Sequence, residues 1–150
     1  MTTRLHYFDV YGRAEPIRML LTHAKVPFED IRYSEEEFKK VKAEGTVPLE
    51  FGQVPMLEFE GEYLTQTPAI MRLLGKKYGY YPEDAKTAYR VDQTIESLTD
   101  VVITVLKIKN ETDEEKKKND FITFLSTKLP ECLAVHEKRL KANGNENFLV

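Results

Sequence analysis

Cysteine is almost missing from this sequence: Cys132 stands alone among 150 residues. That excludes an internal disulfide and fits a reducing compartment. Cys132 falls within a helical pattern with no proline hairpin or glycine near it, so it reads as packing rather than as a nucleophile. The absence of any Cys-x-x-Cys pair speaks against disulfide-reductase chemistry. His6, His23 and His136 show no metal-ligand spacing, and no metal is expected. No apolar window of about 18 residues exists, which excludes a helical membrane span. The opening Met-Thr-Thr-Arg-Leu-His-Tyr-Phe lacks the apolar run of a secretory signal, so the expected location is cytoplasmic. Neither sign of charge prevails: 22 Lys and Arg against 25 Asp and Glu give a net charge of −3. Nothing here recruits nucleic acid or an acidic membrane. Internal repeats and low-complexity tracts are absent too.

What is present is an ordinary globular composition, 41% hydrophobic and 31% charged, long enough to bury a sizeable core. Residues 4–8 are β-prone and run into a loop at Asp9-Val10-Tyr11-Gly12. From Glu15, Pro16 suits a first helical turn, and Ile17, Leu20, Leu21 and Ala24 recur at helical spacing. Residues 28–33 read as a second strand. Ser34 with Glu37 forms a capping box for a short helix through Phe38 and Val41 that stops near Gly45. Residues 56–59 and 63–65 make a hairpin around Glu60-Gly61. Thr67 is the expected N-cap of a helix with Pro68 at its first position, running to about Tyr78. The order βαβαββα predicts a small mixed four-stranded sheet with helices on its faces. After a linker at 79–84 no strand signal survives. Ala88, Val91, Ile95, Leu98, Val102 and Val105 keep step along one long helix. Thr112 with Glu115 is a second capping box, opening another long helix that Pro130 should kink and Gly144 should end.

With that order in place, "LHYFDVYGRAEPIRMLL", "QVPMLEFEG" and "LTQTPAIMRLLGKKYG", followed by an all-helical segment, resemble the cytosolic glutathione transferases. Tyr7 and the run Gly12-Arg13-Ala14-Glu15 look most like the sigma class, which includes prostaglandin D synthase and the lens S-crystallins. The resemblance implies an α/β thioredoxin-like N-terminal domain over residues 1–78. An incomplete all-α C-terminal domain over 85–150 would follow it. It also implies a homodimer that binds glutathione as co-substrate together with a small hydrophobic electrophile. The family pattern continues beyond Asn147-Phe148-Leu149-Val150 into a buried helix. The expectation is therefore a C-terminally truncated product with uncovered apolar residues at its end.

The resemblance assigns roles residue by residue. Val54-Pro55 would carry a cis bond, turning the Val54 backbone outward so that an extended peptide adds to it like a strand. On local sequence alone, Pro55 could equally just begin a strand. Gln66 and Thr67 stand at a helix start, where free N–H groups and the dipole favour the γ-glutamyl carboxylate, and the Thr67 hydroxyl would add a donor. Lys42 matches a lysine that pairs with the glycyl carboxylate. Phe38 and Gln53 stand where tryptophan and lysine are common, so each removes a donor, a loss of about 1–3 kcal/mol apiece. Asp100 matches a position that meets the amino group of the partner subunit's glutathione. Phe8 and Tyr11 either line the electrophile pocket or pack.

Tyr7 is the expected catalytic residue, although a tyrosine there is otherwise an ordinary half-buried strand residue. A free thiol with a pKa of about 8.5 is only a few per cent thiolate at neutral pH. A phenol donating to sulfur favours the anion, and Arg13 would orient the phenol or add positive potential. The expected reaction is attack of the glutathione thiolate on a soft electrophile. Two alternatives are a non-catalytic ligand-binding or structural relative like the S-crystallins, and a glutathione-dependent isomerase.

Overall fold

The computed structural model describes residues 2–144; the apolar end expected at 148–150 lies outside them. The chain divides into two compact units, Met1–Pro82 and Glu83–Val150.

The first unit is thioredoxin-like. It is built from β1 (Thr3–Phe8), α1 (Glu15–His23), β2 (Phe28–Tyr33), α2 (Glu35–Glu44), β3 (Met56–Phe59), β4 (Glu62–Thr65) and α3 (Thr67–Lys77). The sheet order is β2-β1-β3-β4. β1 runs parallel to β2 and antiparallel to β3, and β3 antiparallel to β4, so the sheet is mixed as expected. Strand alternation sends Leu5 and Tyr7 to one face, where they join Ala14, Ile17 and Leu21 of the α1 region and Ile70 and Leu74 of α3 in one apolar core. His6 faces the other way. The Ser34–Glu37 capping box forms in both directions, and Gly45 closes α2 at φ 63°. The β3–β4 hairpin turns on Glu60 and Gly61, both at positive φ, the requirement of a type I′ turn.

The second unit is helical: α4 (Ala85–Lys109), α5 (Glu114–Thr123) and α6 (Leu129–Ala142). Two expectations change here. The cap of α5 is Asp113, not Thr112, because the Asp113 carboxylate accepts the Lys116 N–H at 2.9 Å. The Glu111 carboxylate takes the N–H groups of Thr112 and Asp113 instead. The second change is at Pro130. It lacks an N–H and its ring would strike the carbonyl four residues back. The chain answers with a π-helical turn over Phe124–Lys128, which widens the backbone just before the proline and carries α5 into α6.

Candidate functional site

The site is assembled at the C-terminal end of β1. Tyr7 is 8% exposed, so its ring belongs to the core while its oxygen reaches the loop that follows. The Arg13 backbone N–H donates to that phenolic oxygen at 3.1 Å. Among the described contacts nothing takes the phenolic proton, which remains available to an outside acceptor. Gly12 makes this approach possible. Its φ is +43°, and a Cβ there would stand 2.7 Å from the Tyr7 oxygen. A side chain at position 12 would therefore be strained and would displace the phenol.

The expectation for Arg13 is refined by this contact. The group on Tyr7 is the main-chain N–H of a half-buried residue, not the guanidinium. The same peptide works at its other end too: the Thr67 hydroxyl donates to the Arg13 carbonyl at 3.0 Å. Arg13 thus ties the phenol to the start of α3 through its backbone. This corrects the reading of Thr67. It is the first helical residue rather than the N-cap, and its hydroxyl proton is already used. The N-cap is Gln66, exposed and held at φ 68°, a conformation costing a non-glycine residue about 1–3 kcal/mol. The N–H groups of the first helical turn have no intrahelical carbonyl to bond there.

The Val54–Pro55 bond is cis, as the resemblance implies. Pro55 is buried and Val54 half-buried. The β1–β3 register ends at His6 opposite Met56, the residue after Pro55, and Val54 packs against the core that contains Tyr7. Lys42, in the last turn of α2, lies over Gly52, where a Cβ would meet its Nζ at 3.2 Å. Gln53, next in sequence, is exposed. Phe38, half-buried on α2, packs edge-on against Phe8 at 5.1 Å. Tyr11 is 76% exposed. Asp100 is exposed on α4 of the second unit.

One residue of this site escaped sequence reasoning. Arg18, 7% exposed, reaches from α1 beneath the loop. Its Nε lies 3.1 Å from both carboxylate oxygens of Asp30, and its Nη1 donates to the carbonyls of Val10 and Tyr11 and to Glu15. The guanidinium carbon is 6.0 Å from the Tyr7 ring centroid. Arg18 therefore fixes the loop that delivers Gly12 and Arg13 to the phenol. The signal was its spacing: Ala14, Ile17, Arg18 and Leu21 fall on one helical stripe, which places a charge facing inward.

The assembled features are a buried phenol with a spare proton, a cis Val54–Pro55 bond and a helix start whose first N–H groups have no intrahelical partner. A model of the glutathione S-transferase N-terminal domain fits residues 3–76. Glutathione S-transferase A4 of Mus musculus is 37% identical over 148 residues, 98% of this chain and 65% of that protein. This chain thus spans about 65% of the length of that curated relative. Among solved structures, prostaglandin synthase D of Nilaparvata lugens superposes with a TM-score of 0.86 at 35% identity, over 96% of this chain and 70% of that one. The monomeric glutathione S-transferase Na-GST-3 of Necator americanus gives 0.75 at 32% identity, over 95% and 69%. The sigma class enzyme of Fasciola hepatica gives 0.78 at 29% identity, over 95% and 68%. The chain belongs to the glutathione S-transferase family.

Proposed function

We propose that this protein conjugates glutathione to small, soft, apolar electrophiles, with Tyr7 as its catalytic residue. The observation that carries the reading is the phenol itself: held by the Arg13 N–H at 3.1 Å and kept clear by Gly12, with its own proton unspent. The peptide extends along the strand edge at Val54 and Pro55. The γ-glutamyl carboxylate sits at the start of α3, with Gln66 and the backbone N–H of Thr67 as its ligands. The cysteinyl sulfur then meets the Tyr7 hydroxyl. The thiol proton leaves to solvent, Tyr7 donates to the thiolate, and sulfur forms its bond to carbon as the leaving group departs. No metal enters this scheme.

Magnitudes divide the work. Lowering the thiol pKa by about two units raises the thiolate fraction roughly twentyfold near neutral pH. A lower thiol pKa also weakens the nucleophile, with a Brønsted slope of about 0.4–0.5. The net gain from activation is therefore only a few-fold, and most of the acceleration comes from holding thiolate and electrophile together. At the glycyl end Lys42 supplies the charge, while Phe38 and Gln53 supply less than the tryptophan and lysine common there. In a homodimer Asp100 meets the amino group of the neighbouring subunit's peptide. We place the chain in the sigma class in the cytoplasm, with the peptide-binding domain at 1–78 and a partial helical domain at 85–150.

Conjugation of glutathione to a generic aryl halide tests this. Tyr7→Phe is expected to lower the rate at neutral pH about two- to threefold, with the deficit closing as pH approaches the free thiol value near 8.5. Glutathione binding with no Tyr7-dependent turnover would favour the non-catalytic relative. The similarity to a prostaglandin synthase D supports a second reading, glutathione-dependent isomerisation of an endoperoxide. Product analysis separates it, because an isomerase regenerates free glutathione and a transferase consumes it.

A further inference from the structure

We propose that His6 and Tyr33 act as positioning residues that hold α2 on the sheet and thereby set affinity for the glycyl end of the bound peptide. The proposal rests on the glutathione reading above and extends it to the face of the sheet opposite Tyr7. α2 has no fully buried residue, although it carries Phe38 and Lys42. Its hold on the sheet is aromatic. Phe38 meets Phe8 at 5.1 Å and Tyr33 at 6.1 Å between ring centroids. Tyr33, the last residue of β2, is in turn stacked on His6 at 5.9 Å.

The polar atoms beneath these rings form one continuous chain. His6 is 3% exposed. Its Nδ1 lies 2.6 Å from the Tyr33 hydroxyl and its Nε2 lies 2.9 Å from Glu58 Oε1. Arg4 Nη1 donates to Glu58 Oε2 at 3.3 Å, and Arg4 Nε donates to Glu29 at 2.7 Å. The carboxylate of Glu58 accepts, so Nε2 carries the proton in neutral His6 and Nδ1 is bare. The Tyr33 hydroxyl then donates to Nδ1, and every group in the chain is satisfied. Three strands are tied together: β1 through Arg4 and His6, β2 through Tyr33 and Glu29, and β3 through Glu58. α2 brings the apolar Phe38 to this cluster. Burial holds the His6 imidazole below its ordinary value despite Glu58.

Protonation of His6 would turn Nδ1 into a donor. The Tyr33 hydroxyl must then accept and turn its own proton away from the imidazole. That loosens the aromatic seat of α2, and with it Lys42 and Phe38. The γ-glutamyl end, anchored at α3 on the other side, is untouched.

Two probes separate the ends: glutathione, and γ-glutamylcysteine, which lacks the glycyl residue. Calorimetric titration of the 150-residue chain with each, at pH 7.5, gives the ratio of their affinities. In His6→Phe, which keeps a ring beside Tyr33 but removes the acceptor of its hydroxyl, this ratio is expected to fall at pH 7.5. Tyr33→Phe at pH 7.5 should weaken glutathione about two- to tenfold, the range for one lost hydrogen bond, and leave γ-glutamylcysteine within twofold. In turnover, KM for glutathione should rise in Tyr33→Phe while kcat at saturation holds, a split that general destabilisation does not produce. Undiminished glutathione affinity in Tyr33→Phe, or an unchanged ratio in His6→Phe, would overturn the proposal. Equal weakening of both peptides in Tyr33→Phe would overturn it as well. Binding of neither peptide at pH 7.5 would overturn the glutathione reading along with it.

Discussion

The two units are built on different terms. The first closes around Leu5, Ile17, Leu21, Met56, Leu57, Ile70 and Leu74, all fully buried. In the second, Phe124 is the one large apolar side chain buried among the described residues, alongside Thr94 and His136. Leu98, Phe121, Ile122, Leu125, Leu133 and Val135 are exposed there. Polar contacts join α4 and α6: Ser97 against His136 at 3.3 Å, and Arg139 against Thr94 at 3.3 Å and against Gln93. The difference shows why the candidate chemistry gathers where it does. The Tyr7–Arg13–Thr67 linkage is a set of backbone-anchored contacts that hold position only on a close-packed frame.

The sharpest way to break this comparison is to empty each unit in turn. Leu57→Ala should cost about 2–5 kcal/mol in urea unfolding, as large-to-small changes in a closed core do. Leu133→Ala, at a position 55% exposed, should cost under about 0.5 kcal/mol. Comparable losses would mean that the second unit is as tightly packed as the first.

Within the first unit the two sheet faces offer a smaller test. Thr67→Val removes the hydroxyl donation to the Arg13 carbonyl on the Tyr7 face. It should weaken glutathione by about 1 kcal/mol, roughly fivefold, with Thr67→Ser restoring most of it. An undiminished affinity would uncouple the start of α3 from the phenol.

On the opposite face the signal is pH. Burial lowers the His6 pKa from its ordinary 6.5, so the unfolded chain takes up a proton that the folded chain resists. Stability from neutral His6 is fully present above that ordinary value and is lost as pH falls through the lower folded value. The Glu37 and Asp84 carboxylates, held low by helix-start N–H groups, titrate below this window. Urea midpoints should therefore fall between pH 7.5 and 5.5, and fall less in His6→Gln. An equal fall in both chains would remove His6 as the cause.

Much of the first unit was legible because its signals are local. The strand at 28–33, the Ser34–Glu37 box, the Glu60-Gly61 turn and the stop at Gly45 each depend on a few neighbouring residues. The misplaced caps show where local reading fails. Thr67 and Thr112 each look like helix starts, yet Thr67 gives its proton to a carbonyl 54 positions earlier in the chain, and Asp113 outcompetes Thr112 with a charged acceptor. The roles of Arg18 and His6 are hidden from local sequence for the same reason. Each is a polar residue on an inward position whose partners, Val10, Tyr11 and Asp30 for one, Tyr33 and Glu58 for the other, meet it only through the sheet. For Arg13, residue identity suggested a charge, and the working group is its peptide.

The central claim is that the Tyr7 phenol spends its free proton on a bound thiolate. Titration of the thiolate absorbance of glutathione bound to the unmodified chain and to Tyr7→Phe tests it directly. The account predicts a bound thiol pKa about two units below the free value near 8.5 in the former, and a return toward that value in the latter. The same bound thiol pKa in both chains would contradict it.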